Sequence, residues 1–161
     1  MATVPEWQHR LWKSLTSDRT VMLGLVDVAD GYPRPMTAQL DGEHGPIWFF
    51  SAKDNALVKL ITSDARAFAT FSSKGHDLFA TVHGRLAISN DRAMIDRLWN
   101  RFVAAWYQHG KDDPQLALLR FDVEHAEVWD DASSTVAGVK MLLGIDPKKD
   151  YQKKHADIPL S

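Results

Sequence analysis

Between Thr20 and Ser51, three short runs rich in β-branched and aromatic residues are separated by two turn-forming stretches. This pattern limits the fold more than any other feature of the 161-residue chain. The first run, Thr20 to Val28, reads as a buried strand. Asp30-Gly31-Tyr32-Pro33 follows, and an Asp-Gly pair is a strong hairpin signal because both residues tolerate the left-handed backbone such a turn needs. A second strand is expected from about Arg34 to Leu40. Asp41-Gly42-Glu43-His44-Gly45 then turns the chain into Pro46 to Ser51, which holds Ile47, Trp48, Phe49 and Phe50. Three strands joined by tight turns predict an antiparallel meander, not the strand–helix alternation of a doubly wound sheet.

The flanking segments add helices and more strands. Thr3 and Glu6 have capping-box spacing, Pro5 sits in the first turn, and Val4, Trp7, Leu11 and Leu15 recur on one face of an N-terminal helix. Asp54 is expected to cap a short helix that turns Leu57, Leu60 and Ile61 inward. Arg66 to Phe71 and Leu78 to Ile88 read as strands around the polar turn Ser72-Ser73-Lys74-Gly75. Asn90 or Asp91 opens a helix with Ile95, Leu98, Trp99 and Phe102 on one face. Trp106 to Pro114 is a loop, and Leu116 to Trp129 alternates as a last long strand. Beyond Ala132 the text is small, polar or basic, apart from a weak helix at Val136 to Ile145. Six strands in so short a chain must manage their edges, and closure into a small barrel does so. The expectation is a mainly β single domain over 1–161, with flanking helices, a barrel from about 5 to 131 and a solvated tail at 132–161.

Composition removes whole classes of function. Apolar residues make up 45% of the chain, enough for a core without covalent staples. The absence of cysteine excludes a disulfide scaffold, a thiolate zinc site and a catalytic thiol together. A formal net charge of −2 offers no field for nucleic acid, and Asp146, Asp150 and Asp157 dilute the tail lysines. No apolar run is long enough to cross a membrane, and Met1-Ala-Thr-Val-Pro-Glu has neither a basic nor an apolar leader region, so a cytoplasmic location is expected. G-x-G-x-x-G, P-loop, G-x-S-x-G and H-E-x-x-H texts are missing. The seven histidines match no compact ligand spacing, so no metal site is expected. Six tryptophans are unusual, and indoles are often used at interfaces or against flat ligands.

Two segments carry candidate chemistry. In Arg34-Pro35-Met36-Thr37-Ala38-Gln39, an arginine after a hairpin turn offers a planar fork suited to phosphate, Thr37 adds a hydroxyl, and the strand backbone can pair with the edge of a planar heterocycle. In Trp48-Phe49-Phe50-Ser51-Ala52-Lys53-Asp54-Asn55, Ser51 and Lys53 add donors near a helix start, where anions are favoured. Adjacent hairpin strands would bring the two segments side by side. An ordinary hairpin with a surface Arg and Lys would read the same way by spacing alone.

Arg34-Pro35-Met36-Thr37, Ile47-Trp48-Phe49-Phe50-Ser51, Arg66 to Phe71 and Val82-His83-Gly84 are followed by Leu98-Trp99, Ala105-Trp106-Tyr107 with Gly110-Lys111-Asp112-Asp113, and Ala126-Glu127-Val128-Trp129-Asp130. In this order they resemble the general stress protein branch of the pyridoxamine phosphate oxidase-like, flavin-binding split-barrel superfamily. The resemblance implies a six-stranded antiparallel split β-barrel, a homodimer, and flavin mononucleotide (FMN) in grooves at the subunit interface. It would place Arg34, Met36 and Thr37 along the phosphate-to-ring path, Phe50 and Ser51 beyond them, and Lys53 and Asn55 near the phosphate. Trp106 and Trp129 would reach the flavin or the dimer seam, plain packing being the other use of an indole. FAD or a deazaflavin would share the same contacts, whereas haem would want an axial histidine that none of the seven declares.

Two departures stand out. Relatives commonly carry a phosphate-binding lysine where this chain has Leu57, and on a helix Lys59 would point about 200° away from that position. The C-terminal Arg and His pair of true pyridoxamine phosphate oxidases is not reproduced, Asp130-Asp131 following Trp129 instead, so vitamin B6 oxidation is not expected. The resemblance implies a flavin-dependent oxidoreductase of unknown substrate. A non-catalytic flavin-binding stress protein and a dimeric module with a decayed flavin site are its alternatives.

Overall fold

The computed structural model describes residues 2–63, 65–130, 142–144 and 154–161. Helix α1 (Val4–Ser17) starts on a reciprocal cap, the Thr3 hydroxyl accepting from the Glu6 N–H and the Glu6 carboxylate accepting from the Thr3 N–H. Its periodicity buries Trp7, Leu11, Trp12 and Leu15 in the main core, while Val4, in the first turn, stays exposed. The remaining elements are β1 (Thr20–Leu25), β2 (Arg34–Thr37), β3 (Ile47–Ala52), α2 (Ala56–Lys59), β4 (Ala65–Ser72), β5 (Leu78–Ile88), α3 (Arg92–Leu98), α4 (Arg101–Ala104), β6 (Leu116–Asp130) and β7 (His155–Pro159), with a single 3-10 turn at Gly110–Asp112 in the expected loop. The fold is mainly β with flanking helices, a split-barrel sheet in which every strand pairing is antiparallel.

Strands follow the order β2-β1-β4-β5-β6-β3, with β7 added on β6. Fifteen-residue β6 organises the whole. One edge pairs with β5, and the other pairs first with β3 (Leu116 to Phe121) and then with β7 (His125 to Trp129). At the register shift in the β5–β6 ladder, Gly84 lies against the Asp122 carbonyl, where a Cβ has no room. The outermost strands, β2 and β3, meet at a single bridge. There Gln39 and Trp48 exchange backbone hydrogen bonds of 2.7 and 2.9 Å. The sheet therefore curls until its edges touch at one point and stays open beyond it.

Several expected elements differ. The β3 ladder runs along β6, not along β2 as a third meander strand. Ile47, Trp48 and Phe49 are all buried, and the equally apolar start of β6 can cover such a strand while edge strand β2 cannot. β1 ends at Leu25, because the turn after it begins early, with Asp27 and Asp30 in the left-handed region at φ 56° and 63°, and β2 ends at Thr37, beyond which Gln39 bridges to Trp48. Asn55, not Asp54, caps α2 by accepting from the Leu57 N–H. The helix expected through Phe102 breaks after Leu98, since the Asn100 side chain accepts from the Phe102 and Val103 N–H groups and starts α4 afresh. The tail is not wholly solvated. Its end forms β7 and buries Ile158, a seventh strand that so short an apolar signal after polar text does not announce. The weak helix expected at Val136 to Ile145 lies, apart from 142–144, outside the described residues.

A second apolar cluster (Trp48, Ile95, Val103, Tyr107, Leu116, Leu118) sits where α3 and α4 cover β3 and β6. Among the described residues, no helix is long and apolar enough to cross a membrane.

Candidate ligand groove between β2 and β3

Backbone alternation decides what faces the opening. The Ala38 N–H donates to the Arg19 carbonyl on the β1 side, and Gln39 bonds to Trp48 on the β3 side. Successive residues of a strand point their polar groups to opposite edges, so Thr37 again faces β3, as does Pro35, which has no N–H to satisfy. By the same count Phe50 and Ala52 face β2. The Ala52 carbonyl accepts from the Asn55 N–H. Thr37 and Phe50 are thus the first opposed pair beyond the bridge and have no ladder partner across the opening.

A groove of about 450 Å³ fills that opening. Thr20, Pro35, Met36, Thr37 and Gln39 line one side, and Phe50, Ser51, Ala52 and Asn55 the other. Phe102, Val103, Trp106 and Tyr107 close it from α4 and the segment after it. Gln39 is only 7% exposed; its side-chain oxygen accepts from Arg19 at 3.4 Å, and its amide nitrogen has no partner among the described residues. Buried Tyr107 donates its hydroxyl to the Ser51 carbonyl at 2.6 Å. Burial, with a smaller contribution from the Asp113 carboxylate, pushes this phenol up to about 12, so it remains a neutral donor. Asp113 is itself held below the usual carboxylate range by N–H groups of Gln115 and His109. Trp99 meets Phe50 edge-on and lies against Tyr107, both at 5.8 Å between ring centroids, so the aromatic wall is braced from behind.

Of the residues singled out in the sequence, Met36, Thr37, Phe50, Ser51, Asn55 and Trp106 line this groove. Arg34 stands at its rim with the guanidinium turned back, donating to the Tyr32 and Asp30 carbonyls at 2.9 and 3.0 Å. Lys53 is exposed on the turn between two lining residues, and four-residue α2 is too short for much of a macrodipole. Trp129 lies elsewhere, half-buried on β6 and stacked on His155 at 5.1 Å. Leu57 is fully buried in the main core, so the position expected for a phosphate lysine points inward, while Lys59 is exposed. Sequence reasoning missed Thr20, Pro35, Gln39, Ala52, Phe102, Val103 and Tyr107 as lining residues. Gln39 was within reach, since period-2 alternation puts it on the same face as Thr37. Thr20 had no local signal at all. Among the described residues, no three His, Asp or Glu side chains converge to hold a metal.

Comparison with known proteins places this geometry among relatives. A family profile described as pyridoxamine 5'-phosphate oxidase like matches residues 6–152. A solved general stress family protein from Xanthomonas campestris pv. campestris is 58% identical, covering 83% of this chain and 93% of its own, with a TM-score of 0.78. The general stress FMN/FAD binding protein of Xanthomonas citri is also 58% identical, over 81% of this chain and 92% of its own, at a TM-score of 0.76. General stress protein 26 of Bacillus subtilis (strain 168) is 26% identical over 65 residues, 40% of this chain, and the match spans 46% of that protein's length.

Proposed function

The chain belongs to the pyridoxamine 5'-phosphate oxidase like family and is of its general stress protein type, and on that premise we propose that it is a homodimeric FMN-binding protein acting as a flavin-dependent oxidoreductase. The observation that carries this reading is the opening between β2 and β3, where two unpaired strand edges face an aromatic groove. An isoalloxazine is flat, apolar at one end and lined with donors and acceptors at the other. Met36, Phe50, Val103 and Trp106 offer it apolar walls. The Thr37 and Phe50 backbones, the Gln39 amide and the Ser51 and Thr20 hydroxyls offer it hydrogen bonds.

Arg34 and Lys53 flank the lining segments at the rim, where a phosphate would sit. Two of the five Arg34 N–H groups are engaged by the turn, which orients the fork and leaves the others for an anion. When bound, the flavin supplies the electron chemistry. The chain's own part is to hold the ring against β2 and β3, flank it with Phe102 and Trp106, and present the neutral Tyr107 side as a fixed wall. The name of the Xanthomonas citri relative supports flavin binding and covers both FMN and FAD. A second subunit finds support on the outer face of the sheet, which carries exposed Met22 and Phe79 with half-buried Phe68 and Trp129.

Titrating the cofactor-free protein with FMN while following tryptophan fluorescence tests the reading. Saturable quenching at one flavin per subunit, followed by reduction of the bound flavin with a nicotinamide donor, is the expected result. Quenching that fails to saturate up to about millimolar FMN would remove the flavin from the groove.

A further inference from the structure

Beside the groove lies a second, shallower recess of about 440 Å³, lined by Arg101, Phe102, Ala105 and Trp106. Its origin is local. The inward residues of α4 and the segment after it, Val103 and Tyr107, are buried in the second cluster, and this turns Phe102 and Trp106 outward at 70% and 85% exposure. Single exposed apolar side chains need no explanation. Two large rings four residues apart, bordering both a recess and a groove, form a continuous apolar shelf.

The charge beside that shelf is specific. The Arg101 guanidinium lies 4.9 Å from the Phe102 ring centroid. Nearby cations are matched by carboxylates: Arg92 by Asp96 and Asp112, Arg97 by Asp41, Lys111 by Asp96. Among the described residues Arg101 has no such match, only its ring contact. A single guanidinium fork accommodates a planar carboxylate through two parallel hydrogen bonds, and its single charge balances a monoanion.

We infer that this recess binds an aryl carboxylate, with its ring stacked on Trp106 and Phe102 and its carboxylate on Arg101. Because Phe102 and Trp106 also line the groove, the occupant lies against whatever fills the groove. That it is a second ligand beside the flavin rests on the reading above; the preference of the recess for an aryl carboxylate does not.

The test titrates 2-naphthoate and its neutral counterpart 2-naphthylmethanol calorimetrically into the full chain, with and without FMN, after FMN loading has been measured separately. The expected result is saturable binding of the acid, with the neutral compound weaker by about fivefold or more. Arg101→Gln should erase the difference between the two compounds at an unchanged melting temperature, Arg101→Lys should restore part of it, and Trp106→Ala should weaken both compounds alike. No saturable binding of the acid, equal affinity for both compounds, or an Arg101→Gln protein that still separates them would overturn the inference. Conversion of a dimer to a monomer by Trp106→Ala would do so as well, by assigning the shelf to a second copy of the chain. A protein that binds naphthoate but takes no FMN would overturn the flavin reading alone, and the reverse result would overturn the recess alone.

Discussion

Tyr107 joins the groove's lid to its floor through one hydrogen bond. Its hydroxyl donates to the Ser51 carbonyl of β3 while its ring packs in the second cluster, so Tyr107→Phe keeps the packing and removes only the tie, at about 1 kcal/mol. The same residue gives a pH prediction. Its pKa is raised in the folded state to about 12, so its contribution is fully present below the ordinary phenol value and is lost as pH climbs through the raised one. Stability should fall in that alkaline window by about 2 kcal/mol more for the wild type than for Tyr107→Phe, and the late step in phenolate absorbance should vanish in the variant. Survival of that step would assign it to another tyrosine. Leu57 argues the opposite kind of case. Family resemblance asks for a lysine there, yet the side chain is fully buried among core residues. Leu57→Lys should therefore cost several kcal/mol, roughly 3 or more, and lower the melting temperature without tightening FMN binding. A variant that melts like the wild type and holds FMN more tightly would move position 57 to the phosphate. The departure from relatives has a plain physical reading: a motif position says which residue type relatives use, but the side chain's direction depends on where the helix starts, and Asn55 starts this one.

Elements were legible where the signal is local and opaque where it is not. The bounds of β5 follow its alternation from Leu78 to Ile88, and α1 follows its cap and its apolar spacing. Pairing partners are a different matter. Nothing within residues 47–52 says that they belong beside Leu116 to Phe121, because the choice depends on which distant strand can cover both faces. The split itself follows from that choice: with β3 committed to β6, only the bridge at Gln39 and Trp48 remains to join it to β2. β7 is the extreme example, a strand after a polar stretch whose one deeply buried residue, Ile158 at 1% exposure, joins the main core. Ile158→Ala should cost about 2–5 kcal/mol, as core truncations do, measured as a shift in the denaturant midpoint with little change in slope. A loss below about 0.5 kcal/mol, typical of surface substitutions, would show that β7 decorates the sheet and does not support it.

At the scale of the whole molecule, the barrel is closed by one bridge, and its two edge strands both line the groove. A ligand held between β2 and β3 therefore ties together the edges that the backbone leaves apart, and it binds only the folded state. Linkage then sets the size of the effect: FMN at a hundredfold excess over its dissociation constant adds about 2.7 kcal/mol, which for a chain of this length raises the melting temperature by about 5–10 °C. Dimerisation through the outer face of the sheet makes a separate prediction, since unfolding a dimer releases two chains and the midpoint must rise with protein concentration. Scanning calorimetry at two protein concentrations, each with and without FMN, reads both effects in one experiment. If the flavin site is completed by the partner subunit, the two are coupled, and the FMN shift should shrink once the protein is dilute enough to dissociate. An FMN shift that persists undiminished in a monomer would confine the site to one chain's β2–β3 groove. A midpoint that responds to protein concentration but not to FMN would keep the dimer and empty the groove of flavin.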